Sequence, residues 1–385
     1  MTELEKNDQI ARFRAAFVRS GRYTHLNNAG QAPLCVPARD ELIAWTNRFA
    51  EEGAHVFPLL FQKFGEARIE LGRLLGADAS QVVFTEGTAT AISQIALGLS
   101  FKPGDEIIVW DQEYPSNFYP WSEAARRSGA KLVIAKSGTD LSTPLETIEK
   151  LVTSKTRVIA TSWVQYRTGA LTDLSALCAF ARAKHIFTSA DIIQGAGCLP
   201  FDFRAIGLDA ACGASHKWMC ASHGPGYFLL REEHFERLTP LMVGAMTYGT
   251  PDDLARADAV MRPGPARFEP GGLAFTSAIA LGAAAKLIRE CGISLIAQEA
   301  EWLTKTLMHG LRERGYVVAS PHGPHFRGAI LNFTPGADAK LKSLPEIAAA
   351  LSANGISFGA RAPGIRLSVH AHNTPDDIER VLALL

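Results

Sequence analysis

The sequence predicts an α/β protein: a large domain on a mostly parallel, seven-stranded sheet covered by helices, with a smaller C-terminal α/β domain. Three observations predict it. Seven short apolar runs alternate with helix-period patterns between residues 81 and 230, which is the pattern of strands buried on both faces. A Gly-, Pro- and Asp-rich break over Gly249–Pro265 is followed by a change of style, with two long helical patterns at Thr276–Cys291 and Gln298–Glu313. The chain has 385 residues, 47% of them hydrophobic, enough for two domains with sizeable cores.

The strand candidates are Gln81–Phe84, Glu106–Trp110, Lys131–Ala135, Arg157–Ser162, Ile186–Ala190, Asp209–Gly213 and Gly226–Leu230. Helical patterns lie between them at Thr88–Ser100, Trp121–Ser128, Pro144–Leu151 and Leu174–Lys184. Beyond the break, Ala329–Phe333 and Ile365–Val369 read as strands of the smaller domain. The large domain is placed at 20–260, and the small one at 265–385 with residues 1–19 packed against it. Open parallel sheets bind ligands beyond the carboxyl ends of their strands, so the residues just after each strand carry the functional argument.

Composition removes several classes. Lys+Arg and Asp+Glu both number 39, so no basic excess points to nucleic acid and no charge block to an interaction tail. Six cysteines lack C-x-x-C spacing and accompanying histidines, which argues against a metal site or a disulfide framework. The N-terminus MTELEKNDQ is charged and lacks a signal-peptide core, and no apolar run of ~18 residues exists. A cytoplasmic protein with a small-molecule substrate, binding neither membrane nor nucleic acid, is expected.

Three segments carry chemistry. In ACGASHKWMCASHGPG (211–226), Lys217 lies among small and apolar residues between two strands. A desolvated amine loses proton affinity and becomes nucleophilic toward an aldehyde, so a Schiff base is one reading; a lysine at the turn before an edge strand is the other. Ser215 and His216 beside it are hydrogen-bonding groups for a phosphate. In SADIIQGAG (189–197), Asp191 ends a strand, where a carboxylate pairs with a protonated ring nitrogen or caps a helix, and Gln194 follows one turn later. In FTEGTATAI (84–92), Gly87, Thr88 and Ala89 turn from a strand into a helix whose free N–H groups suit a phosphate. No G-x-G-x-x-G or P-loop pattern is present, which argues against a nicotinamide- or nucleotide-binding alternative.

In this order the segments resemble the class V aminotransferase group of fold-type I pyridoxal 5′-phosphate (PLP) enzymes, which includes cysteine desulfurases, kynureninases and isopenicillin-N-epimerase-like proteins. The resemblance runs from Leu26 nearly to the C-terminus. HLNNAGQAPL (25–34) matches a segment near the substrate, which implies a substrate contact for Asn28. GTATA (87–91) resembles the phosphate-binding turn, and DQEYPSN (111–117) the segment with the ring-stacking residue, here Tyr114. WVQYRTGAL (163–171) resembles the strand tip facing cofactor and substrate, with Tyr166 and Arg167 as substrate-side candidates. DIIQ (191–194) implies that Asp191 meets the ring nitrogen and Gln194 the phenolic oxygen, and SHK (215–217) supplies the Schiff-base lysine. RFEPGG (267–272) resembles a segment that reaches a neighbouring subunit's phosphate, which implies a homodimer and a backbone contact from Gly272. IRLSVHAHNT (365–374) places Arg366 where the group clamps the substrate carboxylate. His55 lies near where the group has a substrate-side histidine, and Arg361 precedes Arg366 in the same loop.

The departures matter as much. GISFGARAPGIR (355–366) contains no cysteine where desulfurases carry a nucleophilic one on a mobile loop, so a persulfide relay is not expected. Ala214 stands where the group often has Ser, Gly271-Gly272 where it has Gly-Thr, and Tyr166 where it has Asn. The resemblance implies an enzyme that binds an amino acid or related amine through a Schiff base and removes the Cα proton with Lys217. Transamination is the favoured outcome, C–S (β-eliminating) lyase or epimerase activity the alternative, and a non-catalytic PLP-binding protein the reading of a different class.

Overall fold

The computed structural model describes residues 3–139, 141–249, 258–321, 323, 328–337 and 341–385. Of the Gly249–Pro265 break, residues 250–257 lie outside them. Seven strands form the main sheet: β1 (Val82–Thr85), β2 (Glu106–Trp110), β3 (Lys131–Ala135), β4 (Thr156–Ser162), β5 (Phe187–Asp191), β6 (Ala210–Ala214) and β7 (Gly226–Leu230). Their order is β1-β7-β6-β5-β4-β2-β3. Only β7 runs against its neighbours, pairing antiparallel with β1 and with β6. Three of these strands, β2, β3 and β7, have the bounds read in the sequence, and the other four shift by one residue.

Helices cover both faces, as near-continuous apolar strands require. On one face α4 (Thr88–Gly98) and α5 (Pro115–Ser128) pack over Val83, Val109 and Phe228. The α5 helix starts six residues earlier than the expected Trp121–Ser128. Pro115 opens it at the first turn, where a missing N–H costs nothing, and the chain tolerates Pro120 inside. On the other face lie α1 (Glu3–Ala15), α2 (Val36–Glu52) and α3 (Phe57–Leu75), which the strand–helix alternation did not reveal. The helix α6 (Phe275–Cys291), assigned from sequence to the smaller domain, packs against α2 and α3 and shares their apolar cluster. The next helix, α7 (Ile293–Glu313), gives Leu303, Leu307 and Leu311 to a separate cluster. That cluster backs a four-stranded antiparallel sheet of β8 (Val317–Val318), β9 (Ile330–Thr334), β10 (Gly359–Arg361) and β11 (Gly364–Ser368).

The N-terminal helix is anchored on two buried histidines. Phe13 stacks on His370 at 5.3 Å between ring centroids, and Phe17 meets His372 at 4.6 Å. His370 Nε2 donates to the Trp218 carbonyl at 3.0 Å, while its Nδ1 accepts from the Ala371 N–H at 2.7 Å. Both ring nitrogens are therefore committed to the neutral tautomer, and a second proton on Nδ1 would face a donor. Burial pushes His370 down from 6.5 to about 4 and His372 well below its ordinary value. Two carbonyl contacts support the His370 proton, and they do not offset the desolvation.

Two outcomes follow for stability. A histidine whose folded pKa is lowered contributes stability above its unfolded value and loses it as pH falls toward the folded one. The urea midpoint is expected to drop between pH 6.5 and about 4, and less steeply in His370→Asn; identical slopes in both proteins would remove His370 from that role. At the α3–α6 crossing a Cβ on Gly282 would lie 2.5 Å from Ala67 Cα. Gly282→Ala should cost about 1–3 kcal/mol in denaturant unfolding, the range for overpacking a close contact, and an unchanged midpoint would show that the helices can separate freely.

Candidate active site

Five turns leave the sheet at one edge, the carboxyl ends of the parallel strands, and there they line a cavity of about 350 Å3. Gly87, Thr88 and Ala89 follow β1, Tyr114 and Ser116 follow β2, and Tyr166 follows β4. Asp191 ends β5 with Gln194 beyond it, and His216 and Lys217 follow β6. Ala29 and Gly30 from the N-terminal segment, and Arg361 and Arg366 from the small sheet, close the remaining side. Arg366 is the central residue of β11, opposite Asn332 on β9 and Gly359 on β10.

Charge and burial oppose each other throughout the cavity. Lys217 stands 5.5 Å from the centre of the Tyr114 ring. Burial lowers the proton affinity of its amine, Asp191 raises it, and the guanidinium groups of Arg366 and Arg361 lower it again. Burial likewise raises the Asp191 carboxyl, against a hydrogen bond from the Ile193 N–H at 2.9 Å and the attraction of Lys217. His216 is pushed down to about 4 by burial, with Lys217 and His223 adding to the effect. Its ring stacks on His223 at 4.3 Å.

Arg366 is 2% exposed. Its Nη1 donates to the Tyr166 carbonyl at 2.8 Å and its Nη2 to Asn27 Oδ1 at 2.9 Å. Burial brings its pKa down to about 10, and Arg361 contributes to the same shift. Its buried Nε has no partner among the described residues, which leaves a donor for an anion. Gln194 is held at both ends, donating to the Ala29 carbonyl at 3.0 Å and accepting from Trp218 Nε1 at 2.9 Å.

Not every sequence candidate lines the cavity. Asn28 is fully buried behind it, donating to the Ser368 carbonyl at 2.8 Å and accepting from His372 Nε2 at 2.9 Å. Its neighbour Asn27 takes the polar role instead, by orienting Arg366; the repeated Asn-Asn offered no signal for choosing between them. Ser215 is buried and donates to the Ser222 carbonyl. Arg167 lies over the Tyr166 ring, with Nη2 at 3.3 Å from the Tyr166 hydroxyl, and does not line the cavity. His55 is exposed on a short 3-10 turn, and Gly272 is exposed with φ +63°; neither reaches the cavity of its own chain. Arg361, by contrast, does line it.

PLP needs a phosphate cradle, a partner for a ring nitrogen and an amine of lowered proton affinity. Thr88 Oγ1, buried at the amino end of α4, has no hydrogen-bond partner among the described residues. That helix end, a buried carboxylate on Asp191 and the desolvated Lys217 amine provide the matching donor set in one cavity, so the residues present fit the group.

Comparison with known proteins agrees. A probable cysteine desulfurase of Methanothermobacter thermautotrophicus is 26% identical over 376 residues, covering 93% of this chain and 92% of that protein. The apo cysteine desulfurase of Thermococcus onnurineus NA1 superposes with a TM-score of 0.88 at 22% identity, covering 97% of this chain and 96% of that one. The C-DES protein with glycine covalently linked to its PLP cofactor superposes with a TM-score of 0.87 at 23% identity, covering 96% and 98%. The description of the class-V aminotransferases matches residues 38–381. The chain is an enzyme of the class-V aminotransferase family and takes PLP as its cofactor.

Proposed function

We propose that this enzyme binds an amino acid by its carboxylate on Arg366, moves the Cα proton on Lys217, and acts as a carbon–sulfur lyase without a cysteine relay. The observation that carries the reading is the meeting of Lys217, Asp191 and Arg366 in one cavity. PLP supplies an electron-accepting ring that makes the Cα proton acidic. Lys217 would hold the cofactor and serve as the base for the Cα proton; its lowered proton affinity suits both tasks. Asp191 would pair with the ring nitrogen, Gln194 with the phenolic oxygen, and Tyr114 would cover the ring face; all three line the cavity. Gly87, Thr88, Ala89 and His216, which line the cavity, would surround the phosphate, while the Ser215 hydroxyl is committed to the Ser222 carbonyl. Arg366 offers its Nε and the remaining N–H groups of its fork to the carboxylate, which orients the Cα–H bond toward Lys217.

Two facts support elimination. Relatives that match more than nine-tenths of the chain include probable cysteine desulfurases, which supports a cysteine derivative as the substrate. All six cysteines are buried and none lines the cavity. Where a mobile loop would carry a sulfur nucleophile, β10 and β11 are joined through Ala362-Pro363. The sulfur group then leaves Cβ with its bonding electrons and takes up a proton, and pyruvate and ammonia follow by hydrolysis. Transamination, the outcome favoured from the sequence, uses the same three residues and is supported by the family description.

The exposed Gly272 and His55 fit a homodimer in which they approach a second copy's cavity. No helix among the described residues is long and apolar enough to cross a membrane, and a cytoplasmic place fits the six free thiols.

Three measurements test these assignments. The PLP-loaded protein, given cysteine derivatives and no keto-acid acceptor, is expected to release pyruvate and ammonia over many turnovers. Conversion that stops after one turnover, with pyridoxamine phosphate formed, would establish transamination instead. Borohydride reduction followed by peptide mass spectrometry should place the cofactor mass on Lys217 and lose it in Lys217→Ala; cofactor mass on another lysine would overturn the assignment. Arg366→Ala should raise KM for the amino acid about 10- to 100-fold, the worth of a charge-assisted hydrogen bond, with cofactor affinity little changed. An unchanged KM would exclude Arg366 from the carboxylate.

A further inference from the structure

Behind Tyr114 lies an acid that the reaction does not use. Glu113 is 8% exposed and its carboxylate meets four donors. Oε1 accepts from the Ser162 N–H at 2.7 Å and from Gln165 Nε2 at 3.1 Å. Oε2 accepts from Ser162 Oγ at 2.5 Å and from Asn117 Nδ2 at 2.7 Å. Burial pushes this carboxyl up, and the bonds from Ser162, Asn117 and Gln165 pull it back; no cation is among the groups acting on it. Its charge instead adds to the upward shift of Asp191. A buried acid without a counter-ion is costly, and an apolar contact would join the same segments at less expense. Its place suggests what it does there.

Every one of its partners borders a residue of the cavity. Asn117 lies four residues on, so the bond closes a bracket around Tyr114, whose carbonyl already accepts from the Asn117 N–H at 2.8 Å. Asn117 Oδ1 accepts in turn from Trp121 Nε1 at 3.2 Å, which anchors the bracket in the helix core. Ser162 is the β4 residue paired with Asp191 on β5. Gln165 precedes Tyr166, whose ring meets the Tyr114 ring edge-on at 5.0 Å. Tyr114 itself is 39% exposed.

We infer that Glu113 is a positioning residue, a buried carboxylate that pins the Tyr114 turn to the tip of β4 so that the Tyr114 ring covers the cofactor pocket. The carboxylate is suited to this because its four lone-pair directions serve three chain segments at once. The inference rests on the proposed placement of the PLP ring under Tyr114.

A double-mutant cycle on cofactor affinity tests it. Apoprotein is titrated with PLP, followed by cofactor absorbance and tryptophan fluorescence, for the wild type, Glu113→Ala, Tyr114→Ala and the double variant. If Glu113 acts through Tyr114, Glu113→Ala weakens binding about tenfold when Tyr114 is present and less than twofold when it is absent, since coupled neighbours are non-additive. Equal losses in both backgrounds, with Tyr114→Ala itself impaired, would make Glu113 a general support and overturn the inference alone. A Tyr114→Ala variant that binds PLP as tightly as the wild type would overturn the placement of the ring and the inference together. Should Glu113→Ala fail to fold, Glu113→Gln gives the same cycle, with a smaller loss that must again depend on Tyr114.

Discussion

The opposition between burial and charge around Lys217 is the interaction on which the rest depends. An amine in a half-closed cavity with two guanidinium groups is driven toward its neutral form by desolvation and by like charge, and only Asp191 pulls the other way. That arrangement is unfavourable unless each group is held where it is by something stronger. The sheet provides this: Asp191 is the last residue of β5, and Lys217 lies three residues beyond the end of β6, the next strand. Backbone pairing therefore sets how far apart the two can move.

Around that pair lie polar side chains whose valences are spent on orientation. His370 is locked by two backbone groups into one tautomer and in turn holds the Trp218 carbonyl, next to the lysine. Trp218 and the Ala29 carbonyl hold Gln194, and Asn27 with the Tyr166 carbonyl holds Arg366. The pattern is a shell of neutral, hydrogen-bonded groups around a few ionisable ones, which keeps the reactive groups oriented. The N-terminal helix belongs to this shell, since Phe13 and Phe17 cover His370 and His372.

The chain shares the scaffold of its structural neighbours. In it, β10 and β11 are joined through Ala362-Pro363, and Arg361 lines the cavity. In the proposed reading, which assigns the proton transfer to Lys217 and the carboxylate grip to Arg366, a scaffold shared with cysteine desulfurases needs no sulfur nucleophile from the protein. Fold alone would not separate these outcomes.

The sequence by itself determined the parallel sheet, its edge of functional turns and the main ionisable residues. Strands buried on both faces read as continuous apolar runs, and Lys217, Asp191 and the Gly87–Ala89 turn each follow such a run directly. It could not decide matters that depend on which way a side chain turns or on contacts between distant segments. Asn27 and Asn28 are adjacent and chemically identical, yet one meets Arg366 and the other is buried against Ser368 and His372. Helices α2 and α3 pack on α6 more than two hundred residues away, a pairing to which local periodicity is blind. Glu113 looks like an ordinary acid in a turn until Ser162 and Gln165, about fifty residues later, are brought onto it. Only the tertiary structure decided these, because burial and hydrogen-bond partners across the sheet are properties of the packed chain.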